Sequence, residues 1–533
     1  LPRPELGRRL ALRLPLLWVL LLLLPALTSF SSLHAWDVDP QALLLVSGWL
    51  IVVALLLLPP ALFYALSLPL AAFGVAASYA HASRQIDLLE LLSQWRQFKP
   101  QEWLSALQPY ALELLLVPTL LALLAGACWH WGWRPARRPL LLCAASGLLL
   151  ALWAPSAVWP RAWPANLLLL GISQLPGGQR LVGDWAPHAD DDNPRGDGRS
   201  WQPRRLQAAP QPETYVLVIG ESLRADFLGE CGGRWKVRAA APDALLACDT
   251  TAGSNATHTS VPLLIGRDAP GGRYRVPRDS SFISAFAELG FETHWLAQHG
   301  RAVAWPEALH QVYPTQVARD REQLLPLLEQ ALARPAPRKL VVLHADNAHA
   351  PYCGKFRAAE APHAVDCGQL GDLPDATTLP QFRAAYANAV DESMAFVNAV
   401  VERLRTQPGE VFVAFTPDHG ENLLDDRRQL YQHALRHPSR WDIQVPMLFW
   451  ANPAWRQRQP QAWAQLQANR DAPLMHADLV PTLLGAAGIQ YVETRDGVVN
   501  LLAKPVATPR RRLVQRSLGA TTDWETLLHE VRP

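Results

Sequence analysis

Three apolar runs in the second half of this chain stop on groups that ionise. TYVLVIGES ends on Glu221, LVVLHADNAH carries His344 and His349, and VFVAFTPDHGEN delivers Asp418, His419 and Glu421. A lone Glu after a strand is most often a helix cap, and a lone His is most often structural. Three ionisable groups in DHGE are costly together unless they are paired or hold a metal. Carboxylates and imidazoles without clustered thiols suit a borderline divalent ion such as Zn2+. A further stretch, TAGSNATHTSVPLLIGRD (251–268), sets a row of hydroxyls before an apolar segment. Such rows cap helices and fill turns. Beside a metal, a Ser or Thr hydroxyl becomes a usable nucleophile. A helix N-terminus also holds an anion. Ser254, Thr257 and Thr259 are the candidate oxygens.

The elements that position these groups read as an α/β domain. The apolar runs are rich in β-branched and aromatic residues, and VPMLFW (445–450) and the weaker FETHWLAQH (291–299) join them. Helical patterns lie between, at Ser280–Leu289, Arg321–Ala333 and Ala384–Leu404. That alternation predicts a mostly parallel central sheet with ligands at the carboxyl ends of the strands. A short helix is expected over Ser222–Leu228, with Glu221 as its possible cap. Another follows the hydroxyl row, with Pro262 in its first turn.

The first half is of another kind. Leu14–Phe30, Gln41–Leu58, Ala61–Tyr79, Tyr110–Cys128 and Pro139–Trp153 are apolar enough to be membrane spans. Arg3, Arg8, Arg9 and Arg13 precede the first, and Arg134, Arg137 and Arg138 separate the last two. The positive-inside rule then gives an N-in, five-helix anchor and exports everything after it. The interval 83–109 reads as amphipathic, fit to lie at the bilayer surface. The expected organisation is an anchor over 1–156, an interfacial bridge and linker over 157–212, a catalytic domain over 213–510 and a tail over 511–533. The net charge of +2 gives no nucleic-acid footprint. Cys128 and Cys143 fall in the candidate spans, whereas Cys231, Cys248, Cys353 and Cys367 fall in the exported half. Short loops close most readily, so the spacing favours Cys231–Cys248 and Cys353–Cys367.

VLVIGESLRADF, THTSVPLL, HADNAHAPY, YANAVDES, TPDHGEN, QVPMLFW and HADLVPTLLG occur in the order found in bacterial phosphoethanolamine transferases. The chain resembles that family, part of the alkaline phosphatase/sulfatase superfamily, over nearly its whole length, anchor included. The resemblance implies a sulfatase-like fold in the periplasm, on an inner-membrane anchor. It implies Zn2+ held by Glu221, Thr257, Asp418 and His419, with Thr257 as nucleophile. His349 and His433 match histidines near the donor phosphate. Glu421 and His344 match substrate or second-metal positions, and Arg301 is the candidate for the family's lysine. The implied donor is phosphatidylethanolamine, and the acceptor a lipid A phosphate, core sugar or surface glycan. A phosphoglycerol transferase, or a hydrolase of the sulfatase or phosphodiesterase type, is the alternative. The chain departs from the family where cysteines often flank the nucleophile: those positions are Gly253 and Leu263.

Overall fold

The computed structural model describes residues 14–23, 40–84, 111–131, 146–150 and a few positions between 162 and 172. It also describes 201–530, apart from 207–208, 268–280, 299–307, 313–318, 371–373, 375, 436, 494 and 516–520. The chain divides into two compact units, 1–192 and 193–533.

The first unit holds helices at 14–23, Pro40–Leu57, Pro60–Arg84 and Ala111–Trp131. The break expected at Pro59-Pro60 is there, with Pro60 opening the following helix as proline does best. Trp18 Nε1 donates to Ser67 Oγ at 2.8 Å, and Trp18, Phe63 and Tyr64 pack edge to face. Among the described residues, no helix is long and apolar enough to cross a membrane. Most of the fifth candidate span, Cys143 and nearly all of the amphipathic interval lie outside the described residues. Among the described residues, the surface of this unit is apolar. Of the large exposed hydrophobic side chains among the described residues, all but Leu206, Leu309, Val312 and Val492 belong to it.

The second unit is built on an eight-stranded sheet. Its strands are β1 (Glu213–Gly220), β2 (Leu245–Thr251), β3 (Glu292–Ala297), β4 (His310–Val312), β5 (Arg338–His344), β6 (Glu410–Pro417), β7 (Gln444–Ala451) and β8 (Leu474–Met475). The order is β8-β2-β7-β6-β1-β5-β3-β4. β7 runs antiparallel to both neighbours, and the other pairs are parallel. The central strands are uninterrupted apolar runs because both faces are covered. Tyr215, Leu217 and Ile219 of β1 face one core cluster, and Val216 and Val218 face the other. Helix α1 (Thr257–Ile265) and α4 (Leu479–Ala486) pack on the first face; α2 (Asp320–Leu332) and α3 (Leu379–Arg405) pack on the second.

Both ends of the chain's second half are tied in. Trp201 is buried in the first core, and Arg204–Arg205 pair with Ile489–Gln490. The stretch expected to be a tail holds a strand pair, Leu513–Gln515 with Thr521–Asp523, and the helix Trp524–Glu530. Val514, Trp524 and Leu527 form a small core with Ile443. Two disulfides, Cys231–Cys248 and Cys353–Cys367, close the loops that the spacing favoured. Cys128 is a buried free thiol.

Candidate functional site

The register of the central strands carries the ionisable groups to one edge. Ile219 of β1 lies opposite both His344 and Thr416, and Gly220 lies opposite Pro417. The next residues, Glu221 and Asp418, therefore emerge side by side at the carboxyl end of the sheet. Gly420 lets the DHGE turn press against 441–442: a Cβ there would lie 2.3 Å from the Trp441 carbonyl oxygen. Gly420 N and Glu421 N donate to Asp442 O and Trp441 O across that contact.

Thr257 meets them from the other side. It is the first residue of α1, one turn earlier than expected, which places Pro262 in the second turn. Thr257 Oγ1 lies 3.2 Å from His419 Nε2 and 3.3 and 3.4 Å from the Glu221 carboxylate oxygens. His419 Nε2 is in turn 3.3 Å from Glu221 Oε1 and 3.3 Å from Asp418 Oδ2. The Thr257 oxygen is the one that faces the cluster. Ser254 and Thr259 are buried, and their hydroxyls take no hydrogen bond.

The electrostatics ask for a cation. Glu221, Asp418 and His419 are fully buried, and Asp418 Oδ2 takes no hydrogen bond. Burial and the neighbouring Asp418 push the Glu221 carboxyl well above its ordinary range. Burial raises Asp418 as well, but His419 and His344 outweigh it and hold that carboxyl below its usual value. One carboxyl thus carries the charge while its neighbour keeps a proton, which a dication would drive off so that both ionise. Burial lowers His419 to about 4, so the imidazole is neutral. Its Nδ1 pairs with Gly420 O at 2.8 Å, which directs the Nε2 lone pair at the two carboxylates. The residues fit a divalent metal.

A chain of imidazoles leads away from it. The His433 ring is 4.2 Å from His419 and 5.2 Å from His349. His433 Nδ1 lies 3.1 Å from Glu421 Oε1, and burial pushes Glu421 up to about 8. Desolvation, with His433 beside it, holds His349 down to about 3, and His349 Nδ1 pairs with Ala350 O at 2.6 Å. His433 comes close enough to Glu221 and His419 to complete a possible metal-holding group. His344 is buried beneath the edge against Trp295. Arg301 lies outside the described residues.

Several supporting residues escape sequence reasoning. In place of a helix starting directly after Glu221, Ser222 takes the left-handed conformation, φ +55°, and a single 3-10 turn, Ala225–Phe227, follows with Arg224 rather than Glu221 at its cap position. Strain of this kind, of order 1–3 kcal/mol, persists because Ser222 is gripped three ways. Its N donates to Asp418 Oδ1, its Oγ donates to Glu221 Oε1, and its carbonyl accepts from Tyr386. His433 sits between two further left-handed residues, Gln432 and Ala434. Buried Asp442 ties this segment to the nucleophile's loop: its Oδ2 accepts from Asn255 at 3.1 Å and Asn422 at 3.0 Å. Ala434 N donates back to Asn255 O.

The Gly253 and Leu263 departure has a packing answer. A Cβ on Gly253 would lie 3.3 Å from Leu263 Cβ, so the two positions face each other as a disulfide would require. Leucine packing replaces the bond, helped by Gly253 N on His476 Nδ1 and Gln515 N on Gly253 O. The double variant Gly253→Cys/Leu263→Cys should therefore oxidise spontaneously and gain about 2–3 kcal/mol in denaturant melts relative to its reduced form. Failure to crosslink would contradict the packing.

His476 is the acid-sensitive part of that support. It is buried between Thr416 and Gly253, and burial lowers it to about 3. As pH falls, the unfolded chain takes the proton first. The stability it contributes is complete above pH 6.5 and drains away between 6.5 and about 3. Urea melts of the metal-free 193–533 unit should show a loss of about 2–3 kcal/mol from His476 alone between pH 7 and 4.5. His476→Gln should flatten that slope, and an unchanged slope would contradict this account.

A family model described as Sulfatase matches residues 213–489. Among curated proteins, "Putative transferase YhbX" of Escherichia coli K12 is 28% identical over 252 residues, 45% of this chain and 44% of that protein. "Phosphoethanolamine transferase OpgE" of the same organism is 22% identical over 260 residues, 45% of each chain. The matched region thus spans under half the length of these relatives. Among solved structures, the C-terminal periplasmic domain of EptC from Escherichia coli, in complex with Zn, aligns with a TM-score of 0.51 at 20% identity. It covers 61% of this chain and 96% of that domain. The integral membrane lipooligosaccharide phosphoethanolamine transferase A of Neisseria meningitidis aligns with a TM-score of 0.58 at 17% identity, over 88% and 95% of the two chains. At these identities the likeness is one of fold.

Proposed function

Because this chain belongs to the sulfatase family, we propose that it transfers phosphoethanolamine from phosphatidylethanolamine to an envelope acceptor, lipid or glycan, through Thr257. One observation carries the reading: the Thr257 hydroxyl, at the start of a helix, is within 3.4 Å of a buried carboxylate and a buried neutral imidazole. The relatives named phosphoethanolamine transferases, and the motifs shared with that family, support the transferred group.

Glu221, Thr257, Asp418 and His419 would hold the metal. A divalent cation there supplies the positive charge that lowers a hydroxyl's pKa and offsets phosphoryl charge; zinc suits the donor set. Thr257 Oγ1, ionised with its proton released to solvent when the site is charged with a cation, attacks phosphorus, forming one P–O bond while the bond to the glycerol oxygen breaks, and it is regenerated in the same ionised form. The departing alkoxide takes a proton and leaves as diacylglycerol. The Glu421–His433 pair is placed to give that proton, since Glu421 holds one at neutral pH. His349, neutral and with Nδ1 already committed, keeps Nε2 as an acceptor near the donor. An acceptor hydroxyl or phosphate then attacks the phosphothreonine, the pair takes back the proton, and Thr257 is regenerated.

A lipid donor gives the apolar exterior of the first unit a purpose, as an anchor in the inner membrane with the catalytic unit in the periplasm. Envelope lipids and glycans from cells with and without the protein should differ by a phosphoethanolamine mass on one acceptor. A phosphoglycerol increment would favour the sister transferase. Release of free ethanolamine phosphate, with no acceptor modified, would favour a hydrolase.

A further inference from the structure

Glu292, His294 and His310 gather a second set of ligand-type side chains away from the proposed catalytic edge. Glu292 and His294 are the first and third residues of β3, so they share one face of the sheet. His310 opens β4 and lies directly opposite His294 in the parallel register. One ligand atom from each of the three lies within 4.8 Å of the others. The catalytic carboxylates emerge beyond the carboxyl ends of β1 and β6, whereas this cluster sits at the starts of β3 and β4. The residue of β3 level with His344 is Ala297.

The spacing suits a tetrahedral ion. Two ligands ~2.0–2.1 Å from such an ion lie ~3.3 Å apart. His310 Nε2 is 3.9 Å from Glu292 Oε2, a little beyond that value, and His294 Nε2 lies 2.9 Å from the other oxygen of the same carboxylate, Oε1. The two imidazoles stack with ring centroids 4.7 Å apart, tolerable when both are neutral. Burial does hold His294 below its ordinary range. His310 Nε2 is shielded from solvent and makes no hydrogen bond. Two cations also face the cluster. Arg334 Nε pairs with Glu292 Oε1 at 2.7 Å, and Lys339 is the β5 neighbour of Glu292. Arg334 is 46% exposed and occupies one carboxylate oxygen, which leaves Oε2 for an ion.

We propose that Glu292, His294 and His310 form a structural site for a borderline divalent cation of the zinc class, fastening the short edge strand β4 to β3. Glu292 Oε2 and the Nε2 atoms of both histidines are the ligands, with the His294 proton moved to Nδ1. Water fills the fourth position. β4 pairs over only three residues, so a metal crosslink adds hold that its hydrogen bonds supply poorly. The site is independent of the transferase reading.

The test is a metal count on the full chain, purified in detergent, stripped with chelator and re-equilibrated with Zn2+. His310→Ala and Glu292→Gln should each bind one equivalent fewer than wild type, and zinc should raise their melting temperatures less. His310→Ala is the safer variant because the side chain is partly exposed. His419→Ala should lose a different equivalent, and the His310→Ala/His419→Ala double variant should lose both. Wild-type stoichiometry in His310→Ala overturns the proposal. An unchanged count in His419→Ala instead removes the catalytic metal site and leaves this one standing.

Discussion

Thr257→Ala loses transfer activity by at least about 10^3-fold, roughly 4 kcal/mol of transition-state stabilisation. The expectation rests on position: among Ser254, Thr257 and Thr259, only Thr257 directs its oxygen at Glu221 and His419. The variant should keep its metal and fold, because the two carboxylates and His419 are held by other contacts. Asp418 accepts from the backbone N–H groups of Ser222 and His419, and Glu221 accepts from Ser222 Oγ. Thr257→Ser should recover part of the rate, since the primary hydroxyl occupies the same helix-start position. Steady-state assays with a labelled lipid donor give the numbers. A Thr257→Ala enzyme within tenfold of wild type would remove the nucleophile assignment.

His419→Ala should release the catalytic metal and abolish activity together. Nε2 of this residue is the atom on which Glu221, Asp418 and Thr257 converge. Losing a partner that merely orients a ligand costs about 10–100-fold in metal affinity, and losing the ligand itself costs more. The loss should depend on pH, because Glu221 must give up the proton that burial makes it keep. Zinc affinity of the wild-type site should therefore rise as pH rises. Competition with a chromophoric chelator at several pH values measures both effects. Unaltered affinity in His419→Ala, or affinity flat with pH, would contradict the ligand set.

The parts legible in sequence were those with short-range signatures. β1, β5 and β6 announce themselves as apolar runs because both faces are covered, and the groups that end them fall at the functional edge for the same reason. The supporting parts were hidden because their partners are remote. Asp442 reaches Asn255 across 187 residues, His476 reaches Gly253 across 223, and no local pattern marks either. Ser222 cuts the expected helix at 222–228 down to the 3-10 turn Ala225–Phe227, because tertiary contacts hold it in a conformation that local propensity disfavours. Two-residue strands such as β8, and the closing pair around Val514, are too short to carry a period. Apolar composition marked the first half as distinct, and the helices Pro40–Leu57, Pro60–Arg84 and Ala111–Trp131 overlap the second, third and fourth apolar runs.

The most direct measurement is a trapping experiment. Wild-type protein in detergent, given phosphatidylethanolamine and no acceptor, is digested and its peptides mapped by mass spectrometry. The account predicts a stoichiometric burst of diacylglycerol and a phosphoethanolamine adduct on Thr257, within the peptide 251–268. Both are absent in Thr257→Ala. An adduct on Ser254 or Thr259, or turnover with no covalent adduct at all, would contradict it.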